Sequence, residues 1–218
     1  MTMLLQEDGE GQWLIPALCD SDRWNPDKVI DYSSIKAVWL NTFQRAHRKD
    51  RNIRIVIEKS PPNMVRLERL SAQFQDFSFL AINRDPYANC SSILYRHFKP
   101  DSLSSAQRMS TLEKIAENWL KRSATIRNLV NRLAIPLLTY ESFCNDPASI
   151  LEKISLPDGA LDSINIHAAI QVKDYRPQPI TNQNQRQIAN LSNTEVAQLS
   201  EILVNHMEVL QFFGYSLL

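Results

Sequence analysis

The stretch Ile53-Arg54-Ile55-Val56-Ile57-Glu58-Lys59-Ser60-Pro61-Pro62 and its counterpart Phe77-Ser78-Phe79-Leu80-Ala81-Ile82-Asn83-Arg84-Asp85-Pro86 decide the fold of this chain. Each is a short apolar run that stops at a charged pair, and a proline follows. Runs of this length, rich in β-branched and aromatic residues, read as buried strands. The prolines stop the strands and can open helices. From about Asn63 to Phe74, Val65, Leu67 and Leu70 alternate with Arg66, Glu68 and Arg69 at helical spacing. A second helix is predicted from about Pro86 to His97. Strand–helix–strand–helix is the pattern of a parallel sheet with crossover helices, an α/β fold.

Outward from that centre, Ser102 to Leu133 reads as a long helix, with Leu112, Ile115, Trp119, Ile126, Leu129 and Leu133 on one face. Trp119 is assigned to the core. Ile135 to Thr139 is a third short strand, ending at Tyr140-Glu141, and Glu141 to Ile154 reads as helical despite Pro147. The last helix is predicted from about Thr194 to Phe213, capped by Ser192 or Asn193, with Gly214 closing it. On the other side, Asp31 or Ser33 can cap a helix from Ser34 to Arg48. The basic cluster at its end (Arg45, His47, Arg48, Lys49, Arg51, Arg54) suits either a solvated helix terminus or an anion patch. Residues 1–31 carry little periodicity and read as irregular. The expected organisation is one domain over 1–218, with residues 1–50 an irregular and helical leader and 51–218 the core.

Composition narrows the function. Of 218 residues, 24 are basic and 24 acidic, so bulk charge gives no attraction to nucleic acid. No apolar run approaches the ~20 residues of a membrane helix. Met1 to Trp13 carries Glu7, Asp8 and Glu10 and has no basic segment, so a signal peptide is not expected. The 3 cysteines, Cys19, Cys90 and Cys144, fit neither a disulfide framework nor a zinc pattern, and a reducing, cytoplasmic setting is the simpler expectation. Only 4 glycines occur, and Gly9 and Gly11 sit in an acidic leader with no strand expected before them. A glycine-rich phosphate loop is therefore not expected.

In an open parallel sheet, ligands gather beyond the carboxyl ends of the strands. The three strand ends deliver Glu58-Lys59, Arg84 and Tyr140. Two cations and an aromatic suit an anionic nucleotide: arginine forks a phosphate, lysine stabilises charge on a reacting oxygen, and tyrosine packs a base. The helix after Arg84 turns its N-terminal N–H groups toward the same edge. Ser92, eight residues after Arg84, stands two turns along it. Glu58 is a candidate base or an ion-pair partner. His47, His97, His167 and His206 are scattered and read as ordinary surface or core histidines.

These motifs resemble the sulfotransferases that use 3′-phosphoadenosine-5′-phosphosulfate (PAPS). The resemblance lies in Glu58-Lys59-Ser60-Pro61, the strand before Arg84-Asp85-Pro86, the serine at Ser92, and the 25-residue spacing from Lys59 to Arg84. Thr139-Tyr140-Glu141-Ser142-Phe143 with Asp146-Pro147, and Phe213-Gly214-Tyr215, are similar to later segments of that family, so the likeness runs roughly from Ile53 to Leu218. It implies a P-loop-NTPase-like parallel sheet flanked by helices and a sulfuryl donor, PAPS, with no metal. Arg84 and Ser92 would bind the 3′-phosphate, with Ser91 a weaker substitute. Tyr140 would contact the adenine side, Lys59 would face the bridging oxygen, and Lys173 would lie over the nucleotide. The acceptor would be a hydroxyl or amine on a small molecule, carbohydrate or peptide, with neither nucleic acid nor membrane as partner.

Family members open with a strand, a Ser/Thr/Gly-rich loop that holds the 5′-phosphosulfate, and a helix. Residues 1–50 do not resemble that opening, so the expectation is a fold incomplete at its N-terminus. Three functions are then in play: a sulfotransferase or the main part of one, a catalytically inactive nucleotide- or protein-binding domain, and a P-loop kinase relative. The kinase lacks its lysine-serine loop here.

Overall fold

Parallel strand pairing, expected from the strand–helix alternation, occurs twice in the computed structural model, which describes residues 2–4, 11–154, 165, 168–169 and 176–218. The described residues fall into two units, 2–4 with 11–78, and 79–154 with 165, 168–169 and 176–218.

In the first unit, β1 (Thr2–Leu4) pairs in parallel with β2 (Ile55–Ile57), Thr2 opposite Ile55 and Leu4 opposite Ile57. This corrects the reading of the leader as irregular, and it places a strand before Gly9 and Gly11. Three residues are too few to show a period of their own, so the strand is defined by its partner. A 3-10 turn over Gly11–Leu14 and the short α1 (Pro16–Cys19) follow. Then α2 (Tyr32–Lys49) runs close to its predicted bounds. Its Asp31 cap accepts from the Ser33 and Ser34 N–H groups, and the same two residues' hydroxyls, Ser33 foremost, hold the Asp31 carboxyl down to about 2. The helix ends in His47, Arg48 and Lys49, where cations suit the dipole. Ile15, Leu18, Ile35, Trp39 and Leu70 form the core of this unit, with Phe74 stacked on Trp39 at 6.2 Å.

Beyond β2 the expected helix from Asn63 to Phe74 is split. Pro61–Arg66 is 3-10, and only α3 (Leu67–Ser71) is α-helical. Ser60 precedes this turn but gives it no side-chain cap. Its hydroxyl instead donates to Glu58 and accepts from the Gln12 N–H at 3.1 Å.

In the second unit, β3 (Ala81–Asn83) is shorter than the predicted Phe77 to Ile82 run. Its ladder begins where its partner begins: Ala81 N–H donates to Pro136 O at 2.9 Å, and Ala81 stands opposite Leu137 of β4 (Leu137–Thr139). Among the described residues β2 and β3 have one strand neighbour each, and Ile57 and Ile82 are exposed rather than buried as expected. After β3, Asp85 caps α4 (Pro86–His97), accepting from the Ala88 N–H at 2.9 Å. The long α5 (Ser105–Leu133) opens with a reciprocal Ser104–Gln107 capping box. Past β4, the single helix expected over Glu141–Ile154 is two, α6 (Tyr140–Asn145) and α7 (Ser149–Lys153). Pro147, which has no N–H to donate, lies in the gap. Then come α8 (Asn184–Ile188), α9 (Asn193–Leu203) behind its Ser192–Glu195 capping box, a 3-10 turn at Val204–His206, and α10 (Met207–Phe213). The core joins Leu94, Leu112, Trp119, Leu199, Leu203 and Leu210 from α4, α5, α9 and α10. No helix among the described residues is long and apolar enough to cross a membrane.

Candidate functional site

The site builds from the carboxyl end of β3. The strand stops at Asn83, whose buried amide donates to Ser123 Oγ on α5 at 3.1 Å. Arg84 follows, its carbonyl accepting from the Trp119 indole at 3.0 Å. Trp119 is the core residue it was expected to be, 5% exposed, and it also fixes the backbone beneath Arg84. The next residue, Asp85, turns its carboxylate back to cap α4. Burial pushes that carboxyl up, against the pull of the N–H groups it caps, and nearby Glu141 adds to the rise.

The Arg84 side chain is braced on two sides. Its Nε donates to Asn184 Oδ1 at 2.9 Å, and its guanidinium lies over the Tyr140 ring, 4.3 Å from the centroid. Its Nη2 is buried and has no hydrogen-bond partner among the described residues. A buried guanidinium nitrogen without an acceptor is costly, and an anion would satisfy it.

Glu141, the first acidic residue of α6, organises the surroundings. Its Oε1 accepts from the Asp85 N–H at 2.9 Å and from the Asn184 amide at 2.5 Å, and its Oε2 accepts from the Tyr215 hydroxyl at 3.1 Å. Tyr215 reaches it because Gly214 takes a φ of 76°, which ends α10 and turns the chain back. Burial, then the Glu141 charge, pushes the Tyr215 phenol far up, so it stays a donor.

The model of the sulfotransferase family matches residues 5–155, more than half of the sequence. The chain belongs to the sulfotransferase family. No curated protein and no solved structure matches it. The family match begins inside the leader, at residue 5, where the sequence motifs gave no likeness.

Within this sulfotransferase the predicted site residues are distributed as follows. Arg84 and Tyr140 are brought together. Ser92 is on α4, half-buried, on the helix face of Ala88 and Asn89, with a hydroxyl that makes no hydrogen bond among the described residues. Ser91 is fully buried and donates to Gln187 O at 2.6 Å, so Ser92 is the available one of the pair. Lys59 is exposed at the end of β2 in the first unit. Beside it, both Glu58 carboxylate oxygens are engaged, one by Ser60 and one by Asn63 Nδ2 at 2.9 Å, which gives Glu58 a structural place in that turn. Lys173 lies outside the described residues, as does His167. Asn184 was not found by sequence reasoning. It sits 100 positions from Arg84 in a glutamine- and asparagine-rich stretch, and no local signal marks it.

Proposed function

We propose that this sulfotransferase moves a sulfuryl group from PAPS to a hydroxyl or amine acceptor. The observation that carries the reading is Arg84 itself: a cation at a strand's carboxyl end, held by Asn184 and Tyr140, with a buried Nη2 that has no acceptor among the described residues. That donor set fits a phosphate. Arg84 would hold the 3′-phosphate, with the Ser92 hydroxyl as a second donor from α4. Tyr140 would contact the adenine side. Lys59 would neutralise charge at the oxygen bridging phosphorus and sulfur.

When bound, PAPS supplies an activated sulfuryl group, and transfer of that kind rests on positioning and on charge neutralisation at the leaving oxygen. The 3′-phosphate is remote from the bond that breaks. Its capture by Arg84 would serve orientation, as remote binding energy can.

Calorimetric titration with the product nucleotide, 3′-phosphoadenosine-5′-phosphate (PAP), tests this. Wild type is expected to bind it and Arg84→Ala to lose most of that affinity. Equal binding by the two proteins rejects the site. Turnover of labelled PAPS with hydroxyl and amine acceptors then separates an enzyme from a domain that only binds nucleotide.

A further inference from the structure

Arg84 and Glu141 do not meet directly. Between them stands the Asn184 amide, its carbonyl oxygen accepting from Arg84 Nε at 2.9 Å and its nitrogen donating to Glu141 Oε1 at 2.5 Å. Only this orientation satisfies both neighbours. Turned over, the amide would set NH2 against a guanidinium and oxygen against a carboxylate.

Asn184 is itself held firmly. It is buried, and its backbone N–H donates to Asn182 Oδ1 at 2.9 Å. The preceding Gln183 N–H donates to the Tyr140 hydroxyl at 3.1 Å, and that hydroxyl donates to Thr181 O at 3.0 Å. Tyr140 therefore supports Arg84 with its ring and, through its hydroxyl, the loop that carries Asn184.

A neutral link in this place does two things. It fixes the Nε side of the guanidinium while the tyrosine face fixes its plane, and Nη2 is left without a partner among the described residues. It also keeps the Glu141 carboxylate out of hydrogen-bond contact with Arg84. A carboxylate at the same distance would pair with Arg84 and compete with any incoming anion. We propose that Asn184 is a positioning residue for nucleotide capture, a neutral spacer that orients Arg84 and reserves its charge for the 3′-phosphate. This rests on the PAPS reading above.

The test titrates the full chain and its Asn184→Ala, Asn184→Asp, Glu141→Gln, Arg84→Ala and doubly substituted variants with PAP and with AMP, which lacks the 3′-phosphate. Asn184→Ala is expected to weaken PAP by about tenfold, the worth of one hydrogen bond to a charged group. AMP affinity should not move. Asn184→Asp keeps an acceptor for Arg84 yet should weaken PAP further, because its charge occupies the guanidinium. It also sets an oxygen against Glu141, so the double variant with Glu141→Gln, which removes that repulsion, should stay as weak. In an Arg84→Ala background, Asn184→Ala should change PAP binding no further. Parallel loss of PAP and AMP, or an Asn184→Asp variant that binds PAP like wild type, overturns the spacer role. If Asn184→Ala fails to fold, the Asn184→Asp, Glu141→Gln double variant against Glu141→Gln decides. If Arg84→Ala weakens PAP while both Asn184 variants bind normally, only the spacer role falls. If Arg84→Ala leaves PAP binding unchanged, the nucleotide site falls with it.

Discussion

Two turns in this sulfotransferase share a plan and end differently. Each leaves a short parallel strand through a charged pair and enters a helical segment at a proline: Glu58-Lys59-Ser60-Pro61 after β2, and Arg84-Asp85-Pro86 after β3. In the second, Asp85 occupies the cap position and accepts from the Ala88 N–H, and α4 runs for 12 residues. In the first, the residue at the cap position is Ser60, and its hydroxyl is spent on Glu58 and Gln12. With no side chain left to satisfy the first N–H groups, the segment tightens into 3-10 geometry for 6 residues before any α-helix forms. What distinguishes the two turns is therefore where one side-chain acceptor points.

The same contrast separates the proposed roles. The β3 turn is built to hold a cation still, and the proposal gives it binding. The β2 turn spends its polar groups on its own bend and presents Lys59 at the surface, and the proposal gives it chemistry. Lys59→Ala should then show the largest effect, a fall in sulfuryl turnover of about 10²–10³-fold, the scale of one charge-stabilising donor. PAP keeps the leaving oxygen on its 5′-phosphate, so part of its affinity should fall too, and kcat at saturating donor isolates the chemical role. An unchanged kcat would erase the division of labour. Next in size, Arg84→Ala should weaken PAP by roughly 100-fold, as expected for the loss of about two charge-assisted hydrogen bonds, with little change in melting temperature. A drop in melting temperature matching the affinity loss would make Arg84 a structural residue.

Smaller effects probe the cap. Asp85→Ala should cost about 1 kcal/mol in urea unfolding, and Asp85→Ser should recover most of it, since serine caps nearly as well. If alanine is harmless, the explanation given for the difference between the turns is wrong. The smallest effect is in pH. Folding raises the Asp85 pKa above 3.8, chiefly by burial, so between those values the folded chain holds more protons than the unfolded one. Its contribution is complete below the unfolded value and is lost as pH rises through the folded one. Asp85→Asn keeps the cap and removes that titration, so its stability relative to wild type should be greatest at neutral pH and should shrink on acidification. Asp31 runs the opposite way: its carboxyl is lowered from 3.8 to about 2, so its stabilising contribution is present above the unfolded value and fades as pH falls toward 2.

Much of the second unit was legible locally. The bounds of α4, Pro86 to His97, follow from a proline at its start and an aspartate before it. The capping boxes at Ser104 and Ser192, and Gly214 at its positive φ, depend on residues within four positions of one another. The local sequence is silent where a partner strand or a competing hydrogen bond decides. β1 shows no periodicity and is defined by β2, β3 is cut short because β4 begins late, and Ser60 looks like a cap until Glu58 and Gln12 are seen to use its hydroxyl.

Sequence by itself determined the α/β alternation, the family's spaced motifs, and the delivery of Lys59, Arg84 and Tyr140 to strand ends, because each depends on neighbours along the chain. Tertiary structure alone decided what surrounds Arg84. Asn184, Glu141, Trp119 and Tyr215 come from four separate helical or tail segments. Their convergence depends on how the helices pack and how the loop before α8 is pinned, and hydrogen bonds between residues so far apart in sequence leave no periodic mark.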